Sequence, residues 1–183
     1  MSKKQLLFVH SAGSQEPQQG SNDFVGYLQR SLPQYQILYP IMPSPESPAY
    51  EAWKIALAKE IEALDDNSLI AGHSLGGSVV LKYLSETRIK KRIKALFFIA
   101  TPYWGKEGWE VNEYILREGF ASKLPPAAEI YLYYSMADDV VPISHMEAYS
   151  SELPNALVRK LSHYPHDFHT GLPELVDDIK RVR

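Results

Sequence analysis

Leu69-Ile70-Ala71-Gly72-His73-Ser74-Leu75-Gly76-Gly77-Ser78-Val79-Val80 is the stretch on which the reading of the fold turns. An apolar run ends at Gly72 and a second one, with helical spacing, starts at Leu75. The pattern Gly72-x-Ser74-x-Gly76 therefore sits between a strand and a helix. The spacing has a physical reason. A serine at a sharp strand-to-helix bend is held in a strained backbone conformation, and its neighbours two residues away must be small for the chain to turn. In return its hydroxyl stands exposed above the sheet edge, at a helix N-terminus whose amides favour developing negative charge. Gly77 adds room for close helix packing. Gly-x-Ser-x-Gly alone is a common pattern, and a tight turn without chemistry is the plain alternative; the flanking context makes Ser74 a candidate nucleophile. His73 is expected to point elsewhere after the turn and is read as structural.

Outward from this bend, short apolar runs alternate with helical stretches. Strands are expected at Gln5–His10, Gln36–Ile41, Ser68–Gly72, Ala95–Ala100, Glu129–Ser135 and Leu157–Leu161. Helices are expected at Asp23–Leu32, Ala49–Leu64, Leu75–Glu86, Ser144–Ser151 and Leu172–Arg181. Parallel neighbours need crossover connections, so six strands separated by helices predict a parallel sheet in a single-domain, three-layer α/β/α sandwich. Ala95–Ala100 is continuously apolar, as a strand buried on both faces should be. Prolines 40, 43, 45 and 48 forbid regular structure between the second strand and the next helix. The one long insertion, 101–128, is the natural place for a small lid, with Trp109–Leu116 able to form a helix.

Composition sets the limits. At 183 residues the chain is one domain by length. Its 19 Lys and Arg against 22 Asp and Glu leave a net charge of −3, which gives no electrostatic reason to expect nucleic acid or an acidic membrane as partner. The basic run Arg88-Ile89-Lys90-Lys91-Arg92-Ile93-Lys94 follows a helix and reads as a solvated surface. With no cysteine, disulfides and thiolate chemistry are excluded. No apolar run approaches the roughly 20 residues of a membrane span. The start, Met1-Ser2-Lys3-Lys4, leads into too short an apolar stretch for a signal peptide, so a cytoplasmic protein is expected.

A serine nucleophile needs a base, and the base needs an acid to hold its tautomer. Tyr133-Tyr134-Ser135-Met136-Ala137-Asp138-Asp139-Val140-Val141-Pro142 offers two acids in the turn after the fifth strand. Asp138 is favoured, with Asp139 left to serve the turn backbone. The base belongs on the loop after the last strand, where His163, His166 and His169 all qualify; His166, behind Pro165, is favoured, then His169, then His163. Their spacing also invites a metal reading, but ligands three apart share a face only on a helix, which Pro165 disfavours; no metal is expected. Oxyanion donors are expected from the N–H of Leu75 and from the loop His10-Ser11-Ala12-Gly13-Ser14, with Ala12 the best single choice. Ser11, Tyr103, Trp104 and Trp109 are candidates to line the substrate, with core or lid packing the alternative for the aromatics. No glycine-rich phosphate loop is present, so nucleotide binding is not expected. His10 and His145 read as partly buried, satisfied histidines or helix-end residues.

Phe8-Val9-His10-Ser11-Ala12-Gly13, Gly72-His73-Ser74-Leu75-Gly76-Gly77, Asp138-Asp139-Val140-Val141-Pro142 and Pro165-His166, in this order, resemble the α/β-hydrolase superfamily. The short chain without a large cap looks like its small retinoblastoma-binding-protein/YdeN-like serine hydrolases. That resemblance implies a reduced sheet in the order 2-1-3-4-5-6 and a Ser74–His166–Asp138 triad. The chain departs from the pattern where it has His10-Ser11 for the usual His-Gly and Pro165 for the glycine before the base. The expected activity is hydrolysis of small or slender carboxylic esters through an acyl-enzyme, without metal or organic cofactor. A protein-binding or scaffold role on the same fold is the alternative, though nothing indicates a protein partner. An amidase, thioesterase or peptidase would use the same triad.

Overall fold

A computed structural model describes residues 3–106, 108–126 and 128–182. Met1 and Ser2 of the N-terminal reading, residues 107 and 127 of the expected lid, and residue 183 of the expected domain lie outside the described residues.

Six parallel strands form one sheet: β1 (Lys4–Val9), β2 (Tyr35–Leu38), β3 (Ser68–His73), β4 (Ile93–Ile99), β5 (Glu129–Ser135) and β6 (Leu157–Leu161). Their spatial order is β2-β1-β3-β4-β5-β6, the order the resemblance implied. The connecting helices are α1 (Asn22–Ser31), α2 (Tyr50–Ala63), α3 (Leu75–Glu86), α4 (Ser144–Glu152) and α5 (Pro173–Arg181).

Strand alternation divides the core into two layers. Leu6 and Phe8 of β1, Leu69 and Ala71 of β3, and Phe97 and Ile99 of β4 pack with Phe24, Leu28, Leu175 and Ile179 of α1 and α5. Leu7, Val9, Ile70, Leu96 and Phe98 face the other way, against Trp53, Leu57, Val79, Val80 and Tyr149 of α2, α3 and α4. β4 is buried on both faces, as its unbroken apolar run requires. β2 stops at Leu38, short of the expected Ile41, because Pro40 cannot donate to a ladder. The proline-rich segment then packs by side-chain bonds, with Trp53 Nε1 donating to the Pro43 carbonyl at 2.8 Å.

The 101–128 segment departs from expectation. Trp109–Leu116 holds no α-helix, only a 3₁₀ turn at Asn112–Tyr114, with another at Phe120–Lys123. Local and tertiary bonds hold the segment in this irregular path. Gly105 N–H bonds to the Trp109 carbonyl, Lys82 Nζ donates to the Ile115 carbonyl at 2.7 Å, and Tyr114 Oη donates to that of Pro48 at 2.9 Å. Glu113 accepts the Tyr50 N–H, and Lys82 pairs with Glu86 at 3.1 Å. These bonds tie the segment to α2 and α3.

A buried carboxylate fixes the other end of the sheet. Asp178 of α5 receives both arms of Arg159 (2.9 and 2.7 Å) and the Tyr133 hydroxyl at 2.8 Å, joining α5 to β6 and β5. The loop between β6 and α5 is thereby held at both ends. No helix among the described residues is long and apolar enough to cross a membrane.

Candidate active site

β3 ends at His73, and Ser74 turns the chain into α3 with φ 51° and ψ −121°, a strained conformation for any residue with a Cβ. Its N–H donates to the Ile99 carbonyl at 2.8 Å, fixing the bend to β4. The flanking glycines are steric necessities. A Cβ on Gly72 would lie 2.5 Å from Gly77 Cα, and one on Gly76 would lie 2.3 Å from the Val9 carbonyl oxygen. The bend leaves Ser74 9% exposed at the carboxyl edge of the sheet.

His166 meets this serine from the β6–α5 loop, with Nε2 3.0 Å from Ser74 Oγ. Its Nδ1 lies 2.8 Å from Asp138 Oδ2 and 3.1 Å from Oδ1. A carboxylate facing Nδ1 places the ring proton there and leaves the Nε2 lone pair toward the serine. Phe168 holds the loop in place: φ is 49°, it is wholly buried, and it stacks on Phe24 and Tyr164 at 5.6 and 5.7 Å between centroids.

The Asp138 side chain is buried. Burial alone would raise its carboxyl; the hydrogen bond and charge of His166, with the N–H groups of Val141 and Val140, outweigh that and hold it below the usual carboxylate range. Those two amides donate to Oδ1 at 2.8 Å each, so the turn-shaping role expected of Asp139 falls to Asp138 itself. Asp139 is exposed. The remaining histidines of the loop have other partners: His163 lies 3.0 Å from Ser162 Oγ, and His169 pairs with Asp167 at 2.8 Å, exposed.

In the β1–α1 loop, Ser11 N–H donates to Ser21 Oγ at 2.9 Å and Gly13 N–H to the Pro45 carbonyl at 2.8 Å. Between them, the N–H of Ala12 has no acceptor among the described residues, and neither has that of Leu75 at the first position of α3. Ser11 is buried, with its hydroxyl hydrogen-bonded to Ser21. Trp104, Trp109, Tyr114 and His145 form one aromatic cluster, with adjacent centroids 4.9 to 5.2 Å apart and Trp104 Nε1 donating to Ser78 Oγ at 2.8 Å. Tyr103 packs edge-on to Tyr149, and its N–H donates to His145 Nδ1 at 2.7 Å. His145 is thus satisfied on that nitrogen. His10 is not: Nδ1 contacts the Ser11 carbonyl, but the buried Nε2 has no partner among the described residues. Burial lowers the His10 ring to about 4. Sequence reasoning passed over Ser21 and read His73 as structural, pointing away from the serine. The structure carries β3 through His73, which puts its ring on the face of Leu69 and Ala71.

A family model described as serine hydrolase matches residues 18–172. No curated protein matches the sequence. Among solved structures, the ydeN gene product from B. subtilis is similar at 20% identity and a TM-score of 0.83, covering 97% of each chain. Est1E from Butyrivibrio proteoclasticus with ferulic acid bound has 18% identity and a TM-score of 0.70 over 98% of this chain and 88% of that one. XC6422 from Xanthomonas campestris, described as an α/β serine hydrolase without lid, has 20% identity and a TM-score of 0.65 over 96% and 78%. These likenesses show an α/β-hydrolase fold.

Proposed function

This chain belongs to the serine hydrolase family, and we propose that it cleaves small carboxylic esters through an acyl-enzyme on Ser74. The observation that carries the reading is the line from Ser74 Oγ through the His166 ring to Asp138, at 3.0 and 2.8 Å. In this mechanism His166 Nε2 takes the serine proton as Oγ attacks the ester carbonyl, and Asp138 stabilises the imidazolium. The N–H groups of Leu75 and Ala12 receive the oxyanion; one such donor is typically worth about 3–4 kcal/mol of barrier. The imidazolium returns its proton to the departing alcohol, and water activated by the same ring releases the acid. The whole chain acts as one hydrolase domain in this reading, with Tyr103, Trp104 and Trp109 lining the site, and the cytoplasm is its setting.

The test is turnover of a panel of acetyl, butyryl and feruloyl esters beside matched amides and thioesters, the feruloyl member following the ferulic acid of the Butyrivibrio structure. Esters should dominate. His166→Ala should lose at least about 10³-fold in kcat, while His163→Ala and His169→Ala stay within a few-fold of wild type. A His166→Ala protein with near-normal turnover would refute the assignment of the base.

A further inference from the structure

The residue before Ser74 lies on the strand face turned away from the serine, toward α1. There His73 is 1% exposed, with Phe24 edge-on at 6.0 Å and Phe168 at 5.7 Å between centroids. Its Nε2 lies 2.7 Å from the His166 carbonyl oxygen. A carbonyl only accepts, so Nε2 carries the ring proton and Nδ1 is an acceptor. Ser21 Oγ, 2.8 Å from Nδ1, therefore donates to it. Ser21 is itself wholly buried, and its oxygen accepts the Ser11 N–H. The bonds run one way: Ser11 N–H to Ser21, Ser21 O–H to His73, His73 N–H to His166. One end is the peptide before Ala12, and the other is the backbone of the base.

We infer that His73 is a positioning residue for the hydrolysis proposed above, a bridge that sets the oxyanion loop and the base loop in register with Ser74. The inference rests on that hydrolase reading. Packing alone does not account for the side chain, since both polar ends of the imidazole finish on loops that carry reacting groups. In this pattern the ring is neutral, with Nδ1 accepting from the Ser21 hydroxyl. Burial first, and then the neighbouring His166, keep it so by pushing His73 down to about 3.

The experiment compares kcat and KM on an activated acetyl ester for wild type, His73→Phe, His73→Gln, Ser21→Ala and the Ser21→Ala/His73→Phe double variant, with thermal melts to confirm folding. His73→Phe should lower kcat about 10- to 100-fold with KM within about threefold, the signature of misplaced reacting groups. His73→Gln, whose amide N–H reaches the His166 carbonyl, should recover most of that loss. Ser21→Ala should cost about 5- to 10-fold alone and nothing further once His73 is Phe, because the residues act as one unit. A folded His73→Phe with wild-type kcat, a Gln variant no better than Phe, or two losses that multiply would each overturn the inference. If His73→Phe does not fold, Ser21→Ala decides: turnover within twofold of wild type overturns it. A wild-type protein inert to both the ester and a fluorophosphonate overturns the hydrolase reading, and this inference with it.

Discussion

Lowering the pH from 7 to 5 should cost this protein much of its stability, and the cause is two buried histidines. Burial lowers His10 to about 4 and His73 to about 3, against 6.5 for an unhindered ring. Both rings are neutral when folded and take a proton when the chain unfolds below pH 6.5. The unfolded state then binds more protons, so stability rises with pH through this window and is complete only above it. Between pH 7 and 5 each ring removes about 2 kcal/mol, about 4 kcal/mol together, out of a typical total of about 5–15. His145, lowered by its burial and then by Lys106, pulls the same way. Asp138, Asp167 and Asp178 are held below their usual values, so their contribution is lost only as pH falls below about 3.9, outside this range. Urea unfolding followed by tryptophan fluorescence would read the effect. With a slope of about 2 kcal/mol per molar, the midpoint should fall by about 2 M at pH 5, and His73→Gln should remove about half of the pH dependence. Equal or greater stability at pH 5 would show that these rings are not held neutral.

Three further outcomes follow from the geometry. Asp138→Asn should lower kcat about 10³- to 10⁴-fold, because the amide no longer enforces the Nδ1–H tautomer of His166; steady-state kinetics giving less than a tenfold loss would remove Asp138 from the mechanism. Gly76→Ala should destabilise by about 3 kcal/mol or fail to fold, since its Cβ would meet backbone at 2.3 Å; a wild-type melting temperature would contradict that fit. Asp178→Ala should cost about 2–3 kcal/mol in chemical denaturation, less than a fully buried pair because Arg159 is 37% exposed and regains water. A neutral result would mean that the α5 anchor does not hold the sheet edge.

How far the sequence reads ahead of the structure depends on the range of the forces involved. The elbow was legible because its constraint is local: Gly72 and Gly76 are demanded by the bend around Ser74, and α3 runs over the expected Leu75–Glu86. β4 was legible from its continuous apolar run, and β5 and β6 have the expected bounds. Where a helix was expected, Trp109–Leu116 is held instead by partners distant in sequence that no periodicity displays: Lys82 on the Ile115 carbonyl, Pro48 on the Tyr114 hydroxyl and Tyr50 on the Glu113 carboxylate. The pairing of His166 with Asp138 stood among three histidines and two aspartates until Phe168 and the Val140–Val141 amides fixed which of them face Ser74. His73 was read as structural, but its bridge was hidden for the same reason, since its partners Ser21 and His166 lie 52 and 93 positions away.

The most direct measurement is the intact mass of the protein after exposure to an alkyl fluorophosphonate, followed by peptide mapping, for wild type, Ser74→Ala and His166→Ala. One phosphonyl group should appear on Ser74 of the wild type, slowly or not at all on His166→Ala, and never on Ser74→Ala. An unmodified wild type, or a label that Ser74→Ala carries equally well, would contradict the assignment of that hydroxyl as the nucleophile.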